Sequence, residues 1–430
     1  MDGLTLITIV FFILFALRVP IAITLIGSSL VGLMFAPSSI PISTLPTTMW
    51  QGVNHFVLLA IPFFILMGDL ALASGVTQRL VNVAKAWIGH IHGGLAHVSV
   101  SVNIVMAGMS GSDLADAAAT GKLLIPAMKR AGYPVAYAAS IIAGAAMIGP
   151  LIPPSIAFIL YAAATEASVG RLFLGGAIPG ALLGALLMLQ AYVQARRNNF
   201  PKEPKATFAE RVKTTAVGMP VLLIPAVLLG SILSGIATPT EAAVLGVLAV
   251  IVVGGFMYRE MSAATFTRQV LATSRTMGSV FLIIAAAAVF GRVLTLYGVA
   301  DGLATWMTGI TRDPAVFLFA VIVIYLLLGC MLDTVPIILV FVPLLMPTVT
   351  ALGINEVQFG VITVFTLLIG LVTPPYGLTM FLLCRIANIS MMQFWKDMWP
   401  IFGTMLVTLA LITVYPELTT WLPDLLIPVK

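Results

Sequence analysis

Gly149-Pro150-Leu151-Ile152-Pro153-Pro154 returns as Gly370-Leu371-Val372-Thr373-Pro374-Pro375, 221 positions later. The same shift carries Gly108 onto Gly329, Pro126 onto Pro347 and Gly132 onto Gly353, with no gap in between. Further out the register drifts. Gly68 and Gly75-Val76 match Gly291 and Gly298-Val299 at a shift of 223, and Pro20 and Gly27 match Pro239 and Gly246 at 219. The chain is thus written twice, in residues 1–193 and 214–430. Between the copies lies a polar linker, residues 194–213, with Arg196, Arg197, Lys202, Lys205, Arg211, Lys213 and two prolines. Helix breakers fall at matching places in both copies. In a membrane protein, Gly/Pro-interrupted apolar segments at corresponding positions of two halves point to a transport site.

The surroundings of these motifs are membrane-like. Of 430 residues, 60% are hydrophobic and 9% charged, and the mean hydropathy is +1.11. A soluble domain carries about 25% charged residues, so most of this surface faces lipid. Apolar runs long enough to span a bilayer, about 17–25 residues each, recur from residue 4 to residue 426. The expected class is an all-α polytopic membrane protein. The net charge of +5 collects in loops and forms no basic stripe with interleaved aromatics, which excludes nucleic-acid binding. No P-loop pattern is present, so ATP is not hydrolysed by that route. Cys330 and Cys384 lie in apolar segments and read as small core residues rather than a disulfide or metal site. Residues 4–17 read as a retained membrane segment, because Met1-Asp2-Gly3 offers no basic region and no cleavage site follows.

Lysine and arginine set the orientation, since basic loops stay in the cytoplasm. The linker is placed inside, as are Arg79 and Lys85 and, in the second half, Arg259, Arg268 and Arg275. Residues 37–54 contain no Lys or Arg and read as external. The span 56–74 then runs inward and its mate, 280–298, outward. The two repeats have inverted topology, and both termini fall outside. Residues 76–90 and 260–275 mix charged and apolar positions and read as interfacial amphipathic helices. Broken or re-entrant pieces are expected at residues 107–126, 149–155, 329–347 and 370–377.

Proline removes the helix hydrogen bond to the carbonyl four residues back. Pro153 and Pro374 would free the carbonyls of Gly149 and Gly370. Such groups are tolerated at membrane depth only where protein encloses them or a ligand satisfies them. A hard cation does so through oxygen ligands, and Ser110, Ser112, Ser155, Thr334 and Thr373 supply hydroxyls nearby. The alternative is a pair of kinks that serve helix packing alone. Each break also carries an acid, Asp113 and Asp333. Intramembrane acids mark functional sites, or they cap the helix half that follows; Asp116 reads as loop-facing. Asp69 and Arg292 follow matched glycines and offer an ion pair or substrate contacts, with snorkelling of a segment-end charge as the alternative. Half-helix N-termini at Ser155 and Tyr376 are placed to face an anion. Gly108-Met109-Ser110-Gly111 also fits an intramembrane serine protease, but all four histidines precede Ser110, and such enzymes need a later base.

The stretches Gly108-Met109-Ser110-Gly111-Ser112-Asp113-Leu114-Ala115-Asp116, Gly149-Pro150-Leu151-Ile152-Pro153-Pro154-Ser155 and Gly370-Leu371-Val372-Thr373-Pro374-Pro375-Tyr376-Gly377 together resemble the large membrane subunit of the tripartite ATP-independent periplasmic (TRAP) transporters. The resemblance covers nearly the whole chain. It implies an elevator-type, sodium-driven secondary transporter of the bacterial inner membrane, with a scaffold and a mobile transport domain holding two hairpins. It implies cation sites at Ser110, Gly149, Ile152 and Pro153 in the first repeat and at Gly329, Asp333, Gly370, Thr373 and Tyr376 in the second. The candidates for substrate contact are Ser112, Asp113, Ser155, Thr334 and Arg292. It further implies two partners, a small four-helix membrane subunit and a periplasmic substrate-binding protein. The expected substrates are carboxylates: C4-dicarboxylates, sialic acid, other sugar acids and keto acids. A symporter that needs no binding protein and a passive anion channel are the rival readings. Na+ is the only cofactor expected.

Overall fold

The structure is a computed structural model that describes residues 3–35 and 41–428. The expectations that touch residues 1–2, residues 37–40 of the external loop and the final two residues lie outside the described residues. Among the described residues the regular structure is helical throughout. The first half contains α1 (Gly3–Ala16), α2 (Ile21–Met34), α3 (Thr44–Val53), α4 (Ala60–Ala73), α5 (Val76–Ile88), α6 (Gly94–Ser110), α7 (Asp113–Arg130), α8 (Val135–Ala146), α9 (Ile156–Thr165) and α10 (Val169–Arg197). The second half contains α11 (Phe208–Gly218), α12 (Leu223–Leu233), α13 (Pro239–Val250), α14 (Ala263–Leu296), α15 (Val299–Ile310), α16 (Pro314–Gly329), α17 (Thr334–Ala351), α18 (Glu356–Leu371), α19 (Leu378–Ala387), α20 (Met391–Val414) and α21 (Glu417–Leu426). Among the described residues, 7 helical stretches are long and apolar enough to cross a bilayer. The chain is an all-α polytopic membrane protein.

Local signals place the element ends. Gly75 and Gly298, both with left-handed backbone, precede α5 and α15. Ser112 and Asp333 are extended residues whose side chains cap α7 and α17. Ser168 and Ser390 cap α10 and α20. A cap oxygen takes a backbone N–H that the helix itself leaves unpaired, so each of these residues fixes where a helix starts. Packing across the halves is reciprocal. α7 lies on α19 while α17 lies on α9, and α8 lies on α20 while α18 lies on α10. Reciprocal contacts of this kind are what a twofold relation produces.

The core is built around α8 and α18. Every residue of α8 from 137 to 146 and of α18 from 357 to 371 is buried. A helix apolar on all sides belongs in the interior. Both run directly into the Gly/Pro motifs, so each motif starts from the core.

Three expectations change. The breaks are shorter than predicted, because Pro126 lies inside α7 and Pro347 inside α17. Residues 260–275 do not form a separate helix. Residues 263–275 are the first turns of α14, which is 34 residues long, or about 50 Å. At the linker, α10 continues to Arg197 and α11 begins at Phe208, leaving only 198–207 between them. That segment is docked. Glu203 pairs with Lys85 of α5 at 3.0 Å, Tyr133 donates to the Pro201 carbonyl at 2.9 Å, and the Phe200 ring packs on Tyr133 and Tyr137.

Candidate functional site

The first break joins α6 to α7 through Gly111 and Ser112. Gly111 has φ +59°, and a Cβ there would stand 2.6 Å from the Pro154 carbonyl oxygen. Glycine is required on both counts, and the contact brings the α6–α7 break onto the 149–155 segment. Ser112 turns the chain and accepts from the Ala115 N–H at 3.4 Å. Ser110 donates its hydroxyl proton to Asp116 Oδ1 at 2.6 Å. Asp116 is 0% exposed, and its Oδ2 has no hydrogen-bond partner among the described residues. That orphan oxygen points at Gly149, where an added Cβ would strike it. The Gly149 N–H bonds to Ala146, whereas no backbone N–H among the described residues reaches the Gly149 carbonyl. Pro153 and Pro154, joined by a cis bond, are buried, and Ile152 is half-buried. Ser155 is buried and caps α9 by accepting from Phe158 N–H at 3.3 Å.

The second break joins α16 to α17 through residues 330–333. Here backbone meets backbone. A Cβ on Gly370 would stand 2.6 Å from Gly329 Cα. Asp333 Oδ1 accepts from Thr334 N–H at 2.7 Å, and its side chain is exposed. Thr334 is buried, with its hydroxyl unpartnered among the described residues. The Gly370 carbonyl differs from the expectation. Pro374 removes one donor, but the Thr373 N–H turns back and bonds to Gly370 at 3.0 Å. The carbonyl keeps a second lone pair that this bond does not use. Thr373 donates its hydroxyl to the Ile369 carbonyl at 2.7 Å. Pro374 and Pro375, also joined by a cis bond, are exposed, as is Tyr376.

The two breaks meet through Asp113. It is buried, and Thr379, in the first turn of α19, donates to its Oδ2 at 2.5 Å. Asp113 is therefore tied to the second half, while Ser112 does the capping. Asp116, read from the sequence as loop-facing, is the most enclosed acid of the site. Its position three residues after Asp113 puts both on one face of α7, which was the available signal. Thr379 carried none, since the matching position at the shift of 221 is Phe158. Arg292 is not brought to the breaks. It is exposed on α14 in a separate pocket of about 390 Å³ with Thr48 and Gln51. Nor does it pair with Asp69, whose Oδ2 takes the Thr273 hydroxyl at 2.9 Å. Ser110 has a carboxylate partner and no imidazole, which removes the protease geometry.

An oxygen set fits an alkali cation. At the first break Ser110 Oγ lies on Asp116, the orphan Asp116 Oδ2 lies against Gly149, and the Gly149 carbonyl has no backbone donor among the described residues, so the neighbouring groups offer oxygen, the donor chemistry of a hard cation. Among the described residues no group of three or more His, Cys, Asp or Glu side chains assembles for a transition metal.

A family model described as "Tripartite ATP-independent periplasmic transporter, DctM component" matches residues 8–418. The chain is 36% identical over 399 residues to the C4-dicarboxylate TRAP transporter large permease protein DctM of Pseudomonas aeruginosa, covering 93% of each. It is 34% identical over 406 residues to the sialic acid TRAP transporter large permease protein SiaM of Vibrio cholerae, covering 94% of this chain and 95% of that one. Among solved structures it is similar to the YdaH transporter of Alcanivorax borkumensis, with a TM-score of 0.65 at 14% identity over 92% of this chain and 96% of that one. That likeness concerns the fold alone. With a family match across almost its full length and relatives of this identity, the chain belongs to the DctM component family of the tripartite ATP-independent periplasmic transporters.

Proposed function

We propose that this chain is the membrane permease of a sodium-coupled importer for an organic acid. The carrying observation is the first break: a fully buried carboxylate whose orphan oxygen lies against Gly149, a residue whose carbonyl no backbone donor among the described residues reaches. An isolated ionised carboxylate in a dry interior is costly, and a bound cation offsets that cost. Sodium ions bind at Ser110, Gly149, Ile152 and Pro153 and, in the second repeat, at Gly329, Asp333, Gly370, Thr373 and Tyr376. They fix the two breaks as hairpins and shape the space between them, where Ser112, Asp113, Ser155 and Thr334 line the substrate path. The names of relatives point to a carboxylate such as a C4-dicarboxylate, sialic acid or 2,3-diketo-L-gulonate.

In this reading residues 1–193 and 214–430 are inverted repeats, which the reciprocal packing of α7 on α19 and α17 on α9 supports. The inner-membrane orientation puts the linker inside and both termini in the periplasm. Arg79 of α5 pairs with Glu260, and Lys85 with Glu203 of the linker, so these basic elements share one side. α15, the mate of α5, carries no Lys or Arg. The loaded transport domain moves past a scaffold in elevator fashion. A small four-helix membrane subunit completes the complex, and a periplasmic binding protein delivers the acid.

The test is uptake of radiolabelled candidate acids into proteoliposomes holding this chain and its small subunit. The binding protein is added outside, with and without an inward sodium gradient. Uptake requiring both is expected, and the acid that accumulates names the substrate. Uptake indifferent to both would make the breaks a channel lining, and uptake needing sodium alone would place the chain among simpler symporters.

A further inference from the structure

A groove of about 340 Å³ lies away from the breaks' polar side, between α1, α2, α14, α15 and α17. Phe11, Phe12, Phe290 and Phe341 ring it, and Leu332 and Pro336, which flank Asp333 and Thr334, form its inner wall. Thr8 alone contributes a polar side-chain atom, and its hydroxyl already donates to the Leu4 carbonyl at 2.9 Å. The walls therefore offer no free side-chain donor, and the Thr8 hydroxyl oxygen is the one side-chain acceptor among them. A carboxylate substrate or a cation would be desolvated there without compensation. Water would find one side-chain partner, the Thr8 hydroxyl oxygen, where a buried water needs about three. The space is also too small for a partner helix, which is about 10–12 Å across.

The groove is continuous with the lipid-facing surface. Phe12 is 61% exposed, and Leu4, Ile9 and Ile13 on the same helix are exposed too. An unfilled apolar void forfeits dispersion contacts on every wall, and the surrounding medium supplies flexible apolar chains without limit. We propose that this groove is a lipid-tail site, in which one acyl chain of a membrane phospholipid lies between α1 and α17 against the segment that carries Asp333. The site follows from the membrane fold and the groove walls and does not depend on ion coupling.

The test uses the full chain in nanodiscs with phosphatidylethanolamine that bears a diazirine at the end of one acyl chain. Val340 and Leu25 both line the groove. Val340→Phe and Leu25→Phe each push a ring into it, from α17 and α2. Illumination of the unmodified chain is expected to label the Thr8, Phe11 and Phe12 side of α1 together with α17. Both variants lose most of that labelling, while labelling at lipid-exposed Leu189 of α10 persists. Labelling spread evenly around α1, or unchanged by either filler, would overturn the site. So would labelling that disappears once the small membrane subunit is present, because the occupant would then be protein. Should a variant fail to insert, the position of the label on the unmodified chain decides alone.

Discussion

Pro153, Pro154 and Ser155 are buried, whereas their counterparts Pro374, Pro375 and Tyr376 are exposed, Tyr376 by 54%. The backbone plan repeats but the surroundings do not. The first break encloses a whole carboxylate, holds it with Ser110 and is roofed by the 149–155 segment. The second leaves its acid exposed and closes its own carbonyl with Thr373. The flanking helices differ in the same sense. α5 is tied down by Arg79–Glu260, Lys85–Glu203 and the Trp87 indole on Thr215. No ion pair holds α15 among the described residues, and only Met307 of it is buried. In the proposed reading this asymmetry corresponds to a preformed first site and a second site completed by movement.

The sharpest break of the comparison is a methyl group at each glycine. At Gly370 it collides with the Gly329 backbone at 2.6 Å, and backbone has no rotamer with which to yield. Gly370→Val is expected to abolish sodium-dependent uptake while membrane insertion, read by fractionation, is intact. At Gly149 the methyl strikes the end of the Asp116 side chain, which can rotate, and meets backbone only at the Ala146 carbonyl oxygen, 3.2 Å away. Gly149→Ala is expected to retain uptake with a raised half-saturating sodium concentration. Normal uptake by Gly370→Val would sink the site assignment.

Charge removal comes next. Asp116→Asn keeps the shape but deletes the buried negative charge that faces Gly149. Interactions with charged groups are worth about 1.5–3 kcal/mol, so the half-saturating sodium concentration should rise by about 10–100-fold. Asp333→Asn, at an acid that is exposed on its surface side, should shift it less. A larger shift for Asp333 would reverse the roles given to the two breaks.

The paired breaks were legible because Gly and Pro act through the backbone, where residue identity alone dictates conformation. The enclosure of Asp116 was not. It depends on Gly149 arriving from the far end of α8, and no local pattern announces that contact. The continuity of α14 was misread for a related reason. The charges of Arg268 and Arg275 suggested an interfacial helix, yet no proline or glycine pair stands between them and the span. The single Gly278 lies inside the helix, since one glycine costs only about 1 kcal/mol. Arg292 shows the limit of repeat matching, which pairs positions by descent and says nothing of which ones touch.

Amide exchange sharpens the comparison without mutation. Buried contacts and tertiary ties set local opening free energies. α15 should therefore exchange faster than α5, and residues 372–377 faster than 149–155, in the same sample. Equal protection would mean that the ties of α5 contribute nothing to its order.

The smallest effect expected is at the Arg79–Glu260 tie. Arg79 Nη2 lies 2.6 Å and Nη1 3.2 Å from the Glu260 carboxylate, and its guanidinium sits 3.8 Å above the Tyr258 ring centroid. The hydrogen bonds from Arg79, with its charge as a lesser cause, hold the Glu260 carboxyl below the ordinary glutamate value. A depressed folded-state pKa contributes stability above the unfolded value, about 4.3 for Glu, and loses it as pH falls through the folded-state pKa. The Glu260 side chain is 45% exposed, so solvent screens the pair and the contribution should stay under about 1 kcal/mol. Glu260→Gln should lower the melting temperature slightly at neutral pH and have no effect once acid has protonated the unmodified chain. If the loss were as large at low pH, the tie would act through packing on Tyr258 rather than charge, and α5 would be held by shape.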